Sequence, residues 1–257
     1  MAADGEEGKI KFTRLSSDFA AFKEHRQLVE KWGLASTSLV GKWRFDHKFK
    51  KNPDFLTAFF NDPDVQSLLR PFHTKQSSVQ GDLGDVKRVD ADELGVRETS
   101  MTMFDRVKEN SNIIRANGAI AKMMDMDVLG LTISDKLREA IISEDAEDYG
   151  VFDDDERDEF LFRLFAALVK GGTMCQYEDM LQPYLDVCKA LYKELVAVQK
   201  NAAGELEVIS TVYDVRAVDA DVPLYFDANS PCNFCFISID PLNRHVSLWY
   251  NSYLPWW

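Results

Sequence analysis

Apolar and polar positions follow different periods in different parts of the chain, and each period predicts a kind of element. Ile10 to Leu15 alternates, as a half-buried strand does. Phe19, Phe22, Leu28, Val29 and Trp32 then recur at helical spacing, with Ser16 or Ser17 as the cap and Gly33 as the stop. Leu39 to Phe45 reads as a second strand. Asn52-Pro53-Asp54 opens a short helix carrying Phe55, Leu56, Phe59 and Phe60, and Asn61-Asp62-Pro63 breaks it and starts another. Residues 74–99, interrupted by Gly81, Gly84 and Gly95, suit hairpins or a mobile surface excursion. Met101 to Val107 and Ile113 to Ile120 read as strand or helix, with strand favoured for one of them. Ile133-Ser134-Asp135 caps a helix running through Ile142.

The central segment is the most informative. Asp158 to Lys170 is apolar nearly all round except at Arg163, the pattern of a buried helix, and the acids at its start complement the helix dipole. Gly171-Gly172 stops it. A second helix sets Leu181, Tyr184, Leu185, Cys188, Leu191, Tyr192, Leu195 and Val198 three and four apart, with Pro183 in its first turn. Beyond Asn201 to Gly204 the period becomes two. Glu205 to Val218 is strand-like, and Phe234 to Ile239 and Val246 to Tyr250 flank a turn at Asp240-Pro241. The sum is an α+β protein: a tail at residues 1–8 that reads as disordered, then one domain over 9–257. Its expected architecture is a central helical layer on a mixed or antiparallel sheet, closing in a C-terminal β-meander.

Composition narrows the function classes. The chain has 257 residues, 46% of them hydrophobic, with seventeen Phe and five Trp, enough for a sizeable core. Its formal net charge is −13, and between positions 144 and 159 ten acids face only Arg157. Such a surface repels phosphate backbones and anionic headgroups, so neither nucleic acid nor membrane is an expected partner. Four Cys are too few for a disulfide scaffold, and the start of the chain has no apolar run of a secretory signal. A reducing, cytoplasmic setting is expected.

Candidate chemistry is sparse. Cys232 and Cys235 have the spacing of a metal or redox pair, and Cys175 follows a glycine helix stop where a nucleophile can sit. Yet residues three apart in a strand lie on opposite faces, and no signature assigns His25, His47, His73 or His245 as a base. Buried or incidental thiols are the plainer reading. A calcium loop counted from Asp153 needs Gly sixth and Glu twelfth, and those places hold Asp158 and Leu164. No phosphate-loop, dinucleotide or nucleophile-elbow motif occurs. The expectation is a non-enzyme with no cofactor and no metal.

The string Asp153 to Val198, with Cys175-Gln176-Tyr177-Glu178-Asp179 and Pro183-Tyr184 inside it, resembles the cilia- and flagella-associated protein 300 family. Phe45-Asp46 with Phe49, Asp54-Phe55, Ala58 to Val65, Ser134 to Arg138, Glu144-Asp145 and Phe236 to His245 carry the likeness over most of the chain. The tail, residues 74–99 and the Trp-Trp end depart from it. The resemblance implies a cytoplasmic assembly factor or adaptor for outer and inner axonemal dynein arms, with a fraction in the cilium or flagellum. Its implied partners are dynein subunits or assembly co-chaperones, with travel that depends on intraflagellar transport. It brings no catalytic residues. A permanent structural part of the axoneme is one alternative; a thiol or metal enzyme on Cys175 or Cys232/Cys235 is another. The surfaces expected to meet partners are the acids Asp153, Asp154, Asp155 and Glu156, the elbow Gln176, Tyr177, Glu178 and Asp179, and Trp256 and Trp257, which either tuck back or are offered outward.

Overall fold

A computed structural model describes residues 9–76 and 83–253. The expected tail at 1–8, residues 77–82 of the glycine-interrupted stretch, and Trp256 and Trp257 lie outside them. Ten strands occur among the described residues: β1 (Phe12–Ser16), β2 (Ser38–Phe45), β3 (Arg88–Leu94), β4 (Lys122–Val128), β5 (Leu131–Asp135), β6 (Val198–Lys200), β7 (Leu206–Val208), β8 (Thr211–Asp219), β9 (Phe234–Asp240) and β10 (His245–Asn251). Six form one sheet in the order β1-β2-β10-β9-β8-β3, every pair antiparallel. The last three strands are the expected meander. β4 pairs with β5 and β6 with β7 as separate hairpins.

Both faces of the sheet are covered, which explains why its central strands look uniformly apolar. Phe234, Phe236 and Trp249 belong to one core with Phe160–Lys170 and Gln182–Leu195. Cys235, Ile237, Val246, Leu248 and Tyr250, the intervening residues, belong to another core. That core is closed by Pro53–Phe60 and by Val65 and Leu69 of Pro63–Gln76. A strand buried on both faces has no polar side to show, so β9 and β10 lose the alternation of a one-sided sheet. Trp32, Trp43 and Trp249 are fully buried, and each such ring contributes roughly 3 kcal/mol by leaving water.

Several element boundaries differ from the sequence reading. The N-terminal helix is three short pieces, Ala20–Glu24, Arg26–Lys31 and Leu34–Thr37. Neither Ser16 nor Ser17 caps it. The Glu194 carboxylate, from Gln182–Leu195, accepts from the Ala20 and Ala21 amides at 2.9 Å each. Glu194→Ala is therefore expected to cost about 1–2 kcal/mol, read as a lower urea midpoint.

Residues 88–94, inside the stretch expected as hairpins or an excursion, are the edge strand β3 on β8. Met101 to Val107 is helical, as a 3₁₀ turn Thr102–Phe104 and an α-helix Asp105–Glu109. Ile113 to Ile120 is a tight turn with two isolated bridges, Ile114–Ile120 and Ala119–Met180, and no strand, so strand is the wrong assignment for both stretches. Extended pairing starts instead at Lys122.

The acids do not extend the buried helix either. They form their own turn, Asp154–Arg157, and the helix restarts at Phe160. The cause is Gly95, whose amide donates to Asp158 O at 3.0 Å and whose carbonyl accepts from Phe160 N at 2.7 Å. Backbone groups that a continuous helix would use are taken by a neighbouring segment. The second helix stops at Leu195, leaving Val198 exposed on β6.

Candidate functional site: an acidic turn beside a cleft of mixed charge

The acidic run is partly structural and partly free. Asp153 Oδ1 accepts from Glu156 N at 2.9 Å while Glu156 Oε2 accepts from Asp153 N at 3.0 Å, a reciprocal capping box. Glu156 also pairs with Arg106. Glu159 is buried and accepts from Arg97 N at 3.0 Å and Arg97 Nε at 2.5 Å. Asp158 meets Arg163 at 3.1 Å. Asp154 and Asp155 stay exposed without an ion pair among the described residues, as do Glu144, Asp145 and Glu147. Free charge is thus concentrated on Asp154, Asp155 and the preceding loop.

Arg157, a lone counter-charge in the sequence, is the hub that holds this loop. Its guanidinium donates to Ala140 O at 2.9 Å, Ile141 O at 3.2 Å, Tyr149 O at 2.7 Å and Phe152 O at 3.3 Å. It lies 3.5 Å from the Tyr149 ring centroid and 5.2 Å from that of Phe162. Two of those carbonyls end Lys136–Ile142, so the fork satisfies acceptors that a helix C-terminus leaves open. Burial pulls its pKa down from the usual arginine value.

Below the acids lies a cleft of about 630 Å³. Its lining includes the exposed Asp154 and Asp158, the apolar Leu129 and Tyr149, and the charged Arg163, Lys170, Asp214 and Arg216. Lys170 Nζ donates to Pro231 O at 2.6 Å, and burial lowers its pKa. Asp214 is pushed up by burial and pulled back by Arg216, 3.4 Å away, and by Arg163. Arg216 also meets Asp92 at 2.9 Å. The cleft lining therefore carries both cations and carboxylates, an arrangement that selects partners by charge pattern more than by apolar fit.

The elbow is largely spent on the protein itself. Tyr177 is half-buried, with Arg138 Cζ 3.1 Å from its ring centroid. Glu178 is buried, accepting from Trp32 Nε1 at 3.1 Å and Lys31 Nζ at 2.8 Å, and its amide donates to Tyr184 Oη at 3.1 Å. Asp179 is exposed but meets Lys122 at 2.7 Å. Gln176 offers an exposed side chain, while its amide donates to Lys31 O at 2.8 Å. The elbow and the acidic turn are not brought into one cluster. Exposed apolar side chains that no sequence pattern singled out are Met174 beside the elbow and Met124 and Leu129 on the β4–β5 hairpin, at 64%, 89% and 70% exposure. A hairpin with one protected side leaves such residues outward, and that needs the tertiary placement to be known.

The thiols sit where thiolates are disfavoured. Burial pushes Cys175 up to about 12, and burial likewise raises Cys188, Cys232 and Cys235. A nucleophilic or metal-binding cysteine needs the opposite shift. Cys235 points into the core beside Ile237 and Tyr250, and Cys232 lies in the turn before β9. Among the described residues no group of three His, Cys, Asp or Glu is placed to hold a metal ion, and no helix is long and apolar enough to cross a membrane.

Fold and site together define a class: an α+β protein built on one doubly covered antiparallel sheet, with ordered charge on its surface. The model of the cilia- and flagella-associated protein 300 family matches residues 9–251, and the chain belongs to that family. It is 38% identical over 236 residues to the cilia- and flagella-associated protein 300 of Chlamydomonas reinhardtii, covering 89% of this chain and 91% of that protein. To the one of Paramecium tetraurelia it is 32% identical over 249 residues, covering 96% and 94%. No solved structure matches it.

Proposed function

We propose that this chain is a non-enzymatic cytoplasmic assembly factor or adaptor for outer and inner axonemal dynein arms, reaching cilia with intraflagellar transport. Family membership across residues 9–251 is the observation that carries this reading. The surface supports a holding role: Asp154 lines a cleft of mixed charge, Asp155 stands exposed next to it, and Arg157 holds the turn that carries both. Dynein subunits or assembly co-chaperones with basic segments are the partners such a rim recruits. Contacts of this kind mainly set association rate and specificity, and they weaken as salt shortens the Debye length to about 8 Å at physiological strength.

The experiment is a crosslinking pull-down from cytoplasm during ciliary regrowth. Asp154→Lys with Asp155→Lys is expected to reduce capture of dynein heavy or intermediate chains about tenfold, equivalent to ~1.4 kcal/mol. Asp153→Asn, which keeps a cap acceptor, is expected to leave capture and folding near the starting level. Unchanged yields in the double reversal would remove the rim from the mechanism. Fractionation tests the assembly role itself, because retention on salt-washed axonemes would mark a permanent structural part instead.

A further inference from the structure

We infer that the sheet end formed by β1, β2 and β10 is a docking surface for an acidic polypeptide segment. This surface is separate from the acidic rim, and the inference does not depend on the dynein reading. Thr13, Arg44 and His245 make one cross-strand row, and Lys42 and Ser247 belong to the next. Further along the same face, Val40, Trp249 and Phe236 are buried under the helical layer. Ser238 Oγ donates to Leu195 O at 2.6 Å where that layer ends. Beyond it Arg44 and Thr13 are exposed and His245 is half-buried, so the row is sheet surface without a helix above it.

Two depressions lie on this surface, one lined by Arg44 and one by its strand neighbour Lys42 and its cross-strand partner His245. One, of about 290 Å³, is lined by Lys11, Arg44, Asp46 and Arg244 among others. The other, of about 190 Å³, is lined by Lys42, Lys193, Glu194, Asp240 and His245 among others.

What distinguishes the surface is how its charges are used. The carboxylates are turned onto backbone amides. Asp46 accepts from Lys11 N at 3.0 Å and also meets His47 Nδ1 at 2.5 Å, Asp240 accepts from Leu242 N and Asn243 N at 3.0 Å each, and Glu194 from Ala20 and Ala21 N at 2.9 Å. The cationic heads of Lys11, Lys42, Arg44 and Lys193 have no ion-pair partner among the described residues. Uncommitted donors therefore collect on one face of a chain whose net charge is −13.

Lys42 and Arg44 lie two residues apart on one strand, about 7 Å, which is also the spacing of alternate side chains on an extended peptide. An extended glutamate-bearing segment can place carboxylates on both. The global negative charge opposes a phosphate backbone or an anionic bilayer at long range. The aromatic rings next to the row, Trp43 and Phe45, are buried and leave nothing for bases to stack on.

The test is fluorescence anisotropy of the full chain with a labelled twelve-residue Glu/Gly peptide, beside its Gln/Gly counterpart, a single-stranded oligonucleotide and anionic vesicles. The glutamate peptide is expected to bind, to weaken as salt rises, and to lose at least tenfold affinity with Lys11→Glu and Arg44→Glu together. Lys11→Gln with Arg44→Gln should give a smaller loss, and Lys108→Glu, on a remote helix, none. Circular dichroism confirms the fold of each variant. Equal binding of the glutamine peptide, tighter binding of oligonucleotide or vesicles, or an unchanged affinity in the reversal would overturn the inference. So would self-association abolished by the same reversals, since the occupant would then be a second copy.

Discussion

Gly172→Ala and Gly33→Ala are expected each to cost roughly 3 kcal/mol or more, and to leave little folded protein at physiological temperature. The two glycines face each other where the first helical pieces meet the end of Phe160–Lys170. A methyl at Gly172 would lie against Thr37 Oγ1 and 2.5 Å from Gly33 O, and one at Gly33 would run into Thr173 O. Gly33 also has φ +71°, a conformation that side-chain-bearing residues adopt at a penalty. The close approach is fixed by Gly172 N donating to Trp32 O at 2.9 Å and Gln176 N to Lys31 O at 2.8 Å. Relief would have to separate these backbones and open the core around Trp32. Urea unfolding followed by far-ultraviolet dichroism measures the cost. A loss under 1 kcal/mol for both variants would mean that the elbow slides freely.

The second large effect is expected from the buried pair Asp135–Arg138. Arg138 is 1% exposed; its Nε donates to Val169 O at 3.2 Å, its Nη2 to Tyr184 Oη at 3.1 Å, and its Nη1 pairs with Asp135. Burial lowers its pKa, and the same burial pushes Tyr184 up to about 12, so the phenol stays neutral. Asp135 also caps Lys136–Ile142 by accepting from Arg138 N at 3.0 Å. Asp135→Asn keeps that cap and removes only the charge. It is expected to cost about 3–5 kcal/mol because it strands a buried guanidinium. Asp135→Asn combined with Arg138→Met should be less destabilising than the charge-stranding single change, and a double-mutant cycle reads the coupling. A single variant within 1 kcal/mol of the parent would show that water or a rearrangement neutralises the site.

These two features differ in how visible they were beforehand. Asp135 reads directly as a helix cap, since a short acceptor precedes an apolar helical run and needs only its own neighbours. That Arg138 three positions on would be a fully enclosed cation is not readable locally, because its partners Val169, Tyr177 and Tyr184 come from distant positions. Gly171-Gly172 was likewise plain as a helix stop, whereas its role as a contact surface for Gly33 depends on a second segment arriving. The rim shows the same division. Ten acids between 144 and 159 are obvious, and the Asp153–Glu156 box is a local pattern, but the pairing of Glu156 and Glu159 follows from where Arg106 and Arg97 are placed. The basic sheet end has no sequence signature, because Lys11, Arg44 and Arg244 are scattered along the chain and meet only through strand pairing.

Local physics settled the element types where one face or one cap decides them: the buried helix at Leu161 to Val169, the amphipathic helix after Pro183, the β9–β10 hairpin and the family likeness these strings carry. Each rests on residues within one or two turns of one another, so periodicity suffices. Tertiary structure alone decided the sheet order, the covering of both its faces, the break at Asp158-Glu159 and the choice of which charges stay free. Apart from the Asp153–Glu156 box and the Asp158–Arg163 pair, which are local, those outcomes depend on groups far apart in sequence competing for the same partners, and no short window contains both competitors.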